Sequence, residues 1–145
     1  MTASAPARLD HVGLNVRDLD AMAAWYVAAF GYRVHLEMDL AGLGLRFVML
    51  VDDGDRRFEL LTRGSGKPGL RARNALEAAA TWGFGHIAFH VAELEATYDR
   101  LLAAGAAAVA EPQPSPQQGL WFAWVHDPEG NLVELIGPDP TSETR

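Results

Sequence analysis

Between residues 11 and 16 the chain alternates. Val12, Leu14 and Val16 fall on one side of an extended strand, and His11, Gly13 and Asn15 fall on the other. The alternation returns at 86–91, where Ile87, Phe89 and Val91 repeat the apolar side and His86, Ala88 and His90 the opposite one. After each strand the period lengthens to that of a helix. Met22, Trp25, Tyr26, Ala29 and Phe30 form one apolar stripe, closed by Gly31. Leu94, Tyr98, Leu101 and Leu102 form a second, closed by Gly105.

These segments belong to a longer internal repeat. "LDHVGLNVRDLDAMAAWYVAAFGYRV" aligns with "FGHIAFHVAELEATYDRLLAAGAAAV", and "VDDGDRRFELL" (51–61) aligns with "HDPEGNLVELI" (126–136). One gap inside the helices completes the alignment. The pattern predicts two half-length copies of strand, helix and further strands, hence an α+β fold. Asp127-Pro128-Glu129-Gly130 has the chemistry of a tight turn, with proline fixing φ and glycine accepting a positive one. Between the copies, "GSGKPGLRARNALEAAATWG" (64–83) reads as a glycine-rich turn leading into a short helix, a linker or an arm.

The repeat makes one feature chemical. Glu134 stands among Leu132, Val133, Leu135 and Ile136, where an unpaired carboxylate is costly to bury. Its counterpart is Glu59, 75 positions earlier, and the same interval separates His11 from His86. Each histidine opens a strand on the side opposite its helix-packing face, and each glutamate sits in the last strand of its half. If both lie on the concave face of one curved sheet, the halves supply two imidazoles and two carboxylates to a common centre. Mixed nitrogen and oxygen donors suit divalent Ni, Zn, Fe, Co or Mn. A bound dication would offset the burial cost of Glu134. A lone strand histidine or glutamate is ordinarily packing or surface, so the doubling carries the argument. Trp121, Phe122 and Trp124 precede the turn, and are either strand core or the wall of a substrate pocket. His90 shares the face of His86, which would suit a pocket-lining residue, but a packed core histidine is the expectation. His35 and His126 stand beside turns and receive no role.

Composition narrows the function classes. At 145 residues and 49% hydrophobic, the chain can bury one real core. A net charge of −7 argues against a nucleic-acid partner, which calls for a basic face. The absence of cysteine excludes disulfides, thiolate metal sites and cysteine nucleophiles. No apolar run has the length of a signal peptide or a membrane span, so a cytoplasmic protein without membrane contact is expected.

"LDHVGLNVRDLDAMAAWYVAAFGY", "GHIAFHV" and "HDPEGNLVELI" resemble the vicinal oxygen chelate superfamily, whose members include glyoxalase I, methylmalonyl-CoA epimerase, extradiol dioxygenases, fosfomycin-resistance enzymes and bleomycin-binding proteins. The resemblance spans about residues 8–137. It implies a single domain over 1–145, with a first β-α-β-β-β module at 8–63, the linker at 64–83 and a second module at 84–137, their eight strands forming a U-shaped sheet around a metal site. Carried over residue by residue, it makes His11, Glu59, His86 and Glu134 the metal ligands. Two carboxylates fit glyoxalase I-like members, and the implied activity is that of a lyase or isomerase working through an enediolate on a small oxygen-chelating substrate. Glu134 is then the first choice of catalytic base and Glu59 the other. Fe(II) extradiol dioxygenases use two histidines and one glutamate, and stand as the alternative, as does a non-enzymatic drug-binding resistance protein. The epimerase usually has glutamine at the first carboxylate position, from which Glu59 departs. A thiol cosubstrate such as glutathione stays an open option, because no motif forces it. Members often dimerise, so a homodimer is expected, with the centre inside one chain or shared between two.

Overall fold

A computed structural model describes residues 7–142. The described chain divides into two compact units, with the boundary between Gly66 and Lys67. The first unit runs β1 (His11–Asn15), α1 (Leu19–Phe30), β2 (Arg33–Leu40), β3 (Leu45–Val51) and β4 (Arg57–Arg63). The second opens with α2 (Ala75–Ala78), then repeats the order as β5 (Ile87–His90), α3 (Leu94–Ala103), β6 (Ala107–Pro114), β7 (Leu120–His126) and β8 (Leu132–Pro138). Each unit holds a four-stranded mixed sheet, ordered β1-β4-β3-β2 and β5-β8-β7-β6. The first and last strands of a unit pair in parallel, and the remaining pairs are antiparallel. This is the doubled β-α-β-β-β arrangement of an α+β fold.

The helices form and stop where local chemistry directs. Asp18 caps α1 by accepting the Ala21 N–H, and Gly31 ends it in the left-handed conformation. Most of the predicted stripe is buried, with Met22, Trp25, Tyr26 and Ala29 joining Leu19 and Ala23, while Phe30 at its end is only half-buried. Tyr26 meets Phe58 edge-on at 4.9 Å, so α1 covers the face of β4 that carries Phe58 and Leu60. In the second unit Leu94, Tyr98 and Leu101 are buried, together with Val133 and Leu135 of β8. Leu102, at the edge of the predicted stripe, is only half-buried.

The interval between copies slips once and recovers. It is 75 residues from Leu19 to Leu94, 74 from Arg33 to Ala107, and 75 again from Leu45 to Leu120. The residue lost after the helix is regained in β6, whose pairing with β7 shifts register twice where β2 with β3 shifts once.

The two turns that feed the last strands are built alike. Asp127 is buried, and its Oδ1 accepts the main-chain N–H groups of Glu129 and Asn131, both at 2.9 Å. Asp52 accepts those of Gly54 and Arg56, also at 2.9 Å. Each aspartate closes its turn by an N–H to the carbonyl four residues on. The position needing positive φ is Gly130 in the second turn (86°) and Asp55 in the first (56°). Glycine adopts that conformation without a steric penalty, whereas aspartate only tolerates it.

Asp55→Gly is therefore expected to raise the stability of the protein by about 0.5–1 kcal/mol, the range for relieving unfavourable backbone conformation. A urea melt with an unchanged or lower midpoint would refute this account of the turn.

Candidate metal centre

Register decides which side chains face the site. In β4, Phe58 and Leu60 point to α1, so Glu59 points to the opposite face, beside Gly13 of β1 and Met49 of β3. His11, two residues before Gly13, lies on that same face. The imidazole Nε2 stands 3.5 Å from Glu59 Oε2. In the second unit Glu134 pairs with Ala88 of β5 and Trp124 of β7, and His86 Nε2 stands 3.4 Å from Glu134 Oε2. Each predicted histidine thus meets its predicted glutamate inside its own unit. Among the described residues, no third His, Asp or Glu joins either pair to make a metal-holding group.

The separation fits metal ligation. Two nitrogen or oxygen donors about 2.0–2.2 Å from one divalent ion stand roughly 3–3.5 Å apart at bond angles of about 90–110°. Both glutamates are largely covered, with side chains 16% and 20% exposed, while His11 and His86 reach solvent. The carboxylates are therefore anchored, and the imidazoles beside them are open to solvent.

The surroundings of the two pairs differ. Glu59 lies over Gly13, where a β-carbon would stand 3.4 Å from Oε2 and 3.3 Å from Leu61 Cδ1. The corresponding neighbour of Glu134 is Ala88, which carries that carbon. His11 also meets Asp10, with Nδ1 at 2.8 Å from Oδ2. The imidazole beside it, helped by Arg57 and Arg8, holds the Asp10 carboxyl below the usual carboxylate range. His86 instead packs edge-on against Trp124, with ring centres 4.7 Å apart.

Trp124 is in turn covered by the arm. Ala72 and Ala78 pack with Trp124 and Leu132 in one buried cluster, flanked by Ala75 and Phe122. Asn74 caps α2 through the Glu77 N–H, and Glu77 reaches back to the N–H of Arg73. His126 Nε2 donates to the Ala72 carbonyl at 2.8 Å, which pins the arm to β7. Segment 67–83 is thus an arm on the Glu134-bearing face of its own sheet. Sequence reading assigned His126 no role, because its partner lies 54 residues away. Phe122 and Trp124 share the Glu134 face, whereas Trp121 takes the other. His90 corrects an expectation: it is exposed rather than packed in the core, because it ends β5 with no covering element among the described residues. His35 falls at the bulge in β2 and is exposed too.

A sequence profile described as the Glyoxalase/Bleomycin resistance protein/Dioxygenase superfamily matches residues 8–135. The chain belongs to that superfamily. A "Probable lactoylglutathione lyase" of Vibrio cholerae is 28% identical over 138 residues, covering 89% of this chain and 89% of that protein. An "Ethylmalonyl-CoA/methylmalonyl-CoA epimerase" of Cereibacter sphaeroides is 33% identical over 132 residues, covering 88% and 96%. A solved glyoxalase family protein from Bacillus cereus superposes with a TM-score of 0.76 at 20% identity, covering 95% and 98%, which supports the same fold. Among the described residues, no helix is long and apolar enough to cross a membrane.

The arm's anchorage is open to a direct test. His126→Ala removes the donor to Ala72 and should speed tryptic cleavage at Arg71 or Arg73 several-fold, without a matching loss of global stability. An unchanged cleavage rate would mean that the apolar cluster alone holds the arm.

Proposed function

We propose that this superfamily member is a metal-dependent lyase or isomerase, glyoxalase I-like in its chemistry, acting on a small substrate with neighbouring oxygens. The observation that carries the reading is the doubled pair, His11 with Glu59 and His86 with Glu134, held at near-equal separations on equivalent positions of two modules. The four side chains would hold a divalent Ni, Zn, Fe, Co or Mn ion. When bound, such an ion polarises a carbonyl as a Lewis acid and stabilises negative charge growing on its oxygen.

The protein's part is to move a proton. Glu134 takes it from the carbon beside the carbonyl and returns it to the neighbouring carbon, with Glu59 as its counterpart in the other half. The apolar neighbours of Glu59 on its face, Met49, Phe47 and Leu61, would limit water around the exposed substrate oxygens. The names of the relatives support a lyase or isomerase over a ring-cleaving dioxygenase. The epimerase relative favours a second reading, inversion of a carbon beside a thioester carbonyl, which uses the same proton loss and return. Glu59 in place of that enzyme's usual glutamine weighs for the first.

Each unit supplies two donors, so a four-donor centre requires two units to meet, within one chain or between two. We infer a homodimer. Apolar side chains left exposed in both units, Leu36, Met38 and Leu40 in the first and Leu76, Trp82 and Phe84 in the second, support association. Light scattering at micromolar concentration is expected to give twice the chain mass, and a monomer would contradict it.

The function is tested by metal analysis joined to a substrate screen. The purified protein should bind one of these divalent ions and turn over either the glutathione hemithioacetal of methylglyoxal or a branched acyl-CoA, with a chelator abolishing turnover. Oxygen uptake with catechols under Fe(II), or metal-independent melting shifts with aromatic drugs, would overturn the assignment. Glu134→Gln should lower turnover about 10²–10⁴-fold, the usual contribution of a general base. Glu59→Gln should weaken metal binding measurably. Equal metal affinity in wild type and Glu59→Gln would count for the dioxygenase, whose metal needs only the other three ligands.

A further inference from the structure

We propose that Asp10 is a positioning residue for His11: its carboxylate holds the proton on Nδ1 and turns the Nε2 lone pair toward Glu59. The inference rests on the metal-centre reading above and deepens it, because it makes the two imidazole ligands unequal.

The geometry is a chain of charged groups. His11 Nδ1 lies 2.8 Å from Asp10 Oδ2, and an ionised carboxylate can only accept, so the proton belongs to Nδ1. Nε2 is then the donor nitrogen, and it is the atom that faces Glu59 at 3.5 Å. Asp10 is itself faced by Arg57, whose Nη1 stands 3.7 Å from Oδ1, and Arg57 leans on Asp55 at 3.5 Å. Arg57 is the register partner of His11 across β1 and β4, so the backbone pairing fixes this cation beside the aspartate.

The second unit has none of this chain. The positions 75 residues after Asp10, Arg57 and Asp55 are Gly85, Leu132 and Gly130. There the imidazole is steadied by the Trp124 ring, and no carboxylate lies against its far nitrogen among the contacts described. A carboxylate behind a ligating histidine fixes its tautomer and makes it a stronger donor, and its removal typically costs about 10–100-fold in metal affinity.

Two readouts test this. In long-range proton–nitrogen NMR spectra of the metal-free protein in mildly alkaline solution, His11 should show the Nδ1–H form. Asp10→Ala should move it to the Nε2–H form with His86 unchanged. Asp10→Asn, whose amide oxygen still accepts, should keep the wild-type tautomer. Titration with Co(II) or Zn(II) should show a loss of about 10–100-fold in Asp10→Ala, largely restored in Asp10→Asn. An Nε2–H form in the wild type, or the same tautomer in wild type and Asp10→Ala, overturns the proposal while leaving the metal reading intact. The expected tautomer shift in Asp10→Ala, together with a wild-type protein that binds neither metal, overturns the metal reading instead, and with it the affinity half of the proposal.

Discussion

Everything at the candidate centre depends on strand register. Glu59 and Glu134 lie in interior strands of their sheets, with Phe58 and Leu60, or Val133 and Leu135, as immediate neighbours. Because side chains alternate, a slip of one residue would turn each carboxylate into the helix-packed core and expose two large apolar groups. The cost of that error is the sum of an unpaired buried charge and lost apolar burial, each of kcal/mol size. The strands that flank β4 and β8 therefore do more than complete a sheet. They hold the glutamate opposite Gly13 or Ala88, where the histidine of the parallel strand is within reach.

The turns before β4 and β8 serve the same constraint. In both, an aspartate gathers the N–H groups two and four residues on, which sets where the last strand begins. That device survives in both copies although the flanking sequences, "DDGDRR" and "DPEGNL", share little else. The first copy keeps it despite an aspartate at a left-handed position, so turn geometry is held even where the residue is poorly suited to it.

Much of this was legible in the sequence, and for an identifiable reason. The repeat, the strand faces, the helix stripes and both His–Glu pairs follow from periodicity and equal spacing, which are local or internally duplicated signals. What escaped depends on contacts that spacing does not encode. The bond from His126 to Ala72 and the packing of Ala72 and Ala78 on Trp124 join segments some fifty residues apart, through alanines that look like helix filler. A strand histidine such as His90 is ordinarily packed, but a side chain is buried only where something covers it, and the arm covers Trp124 and Leu132 instead. Asp10 did leave a signal, since it adjoins His11 where the other copy has glycine. Asp10 is encoded in the difference between the copies rather than in their likeness.

That difference bears on how a duplicated site diverges. Both units hold a histidine and a glutamate together, and without the imidazole the largely covered carboxylate would lose its observed partner. How the imidazole is steadied is free to vary. The first unit uses charge, through Asp10 and Arg57, on a part of the surface open to water. The second uses an aromatic ring, and a ring facing the site has to be covered on its other side, which is what the arm does. The arm packs on the sheet of its own unit. The Glu59 face instead has Gly13 beside the carboxylate, with exposed Leu36, Met38 and Leu40 beyond Met49 and Phe47. The pseudo-symmetry of the two His–Glu pairs therefore does not extend to their surroundings, and it is the surroundings that distinguish one carboxylate from the other.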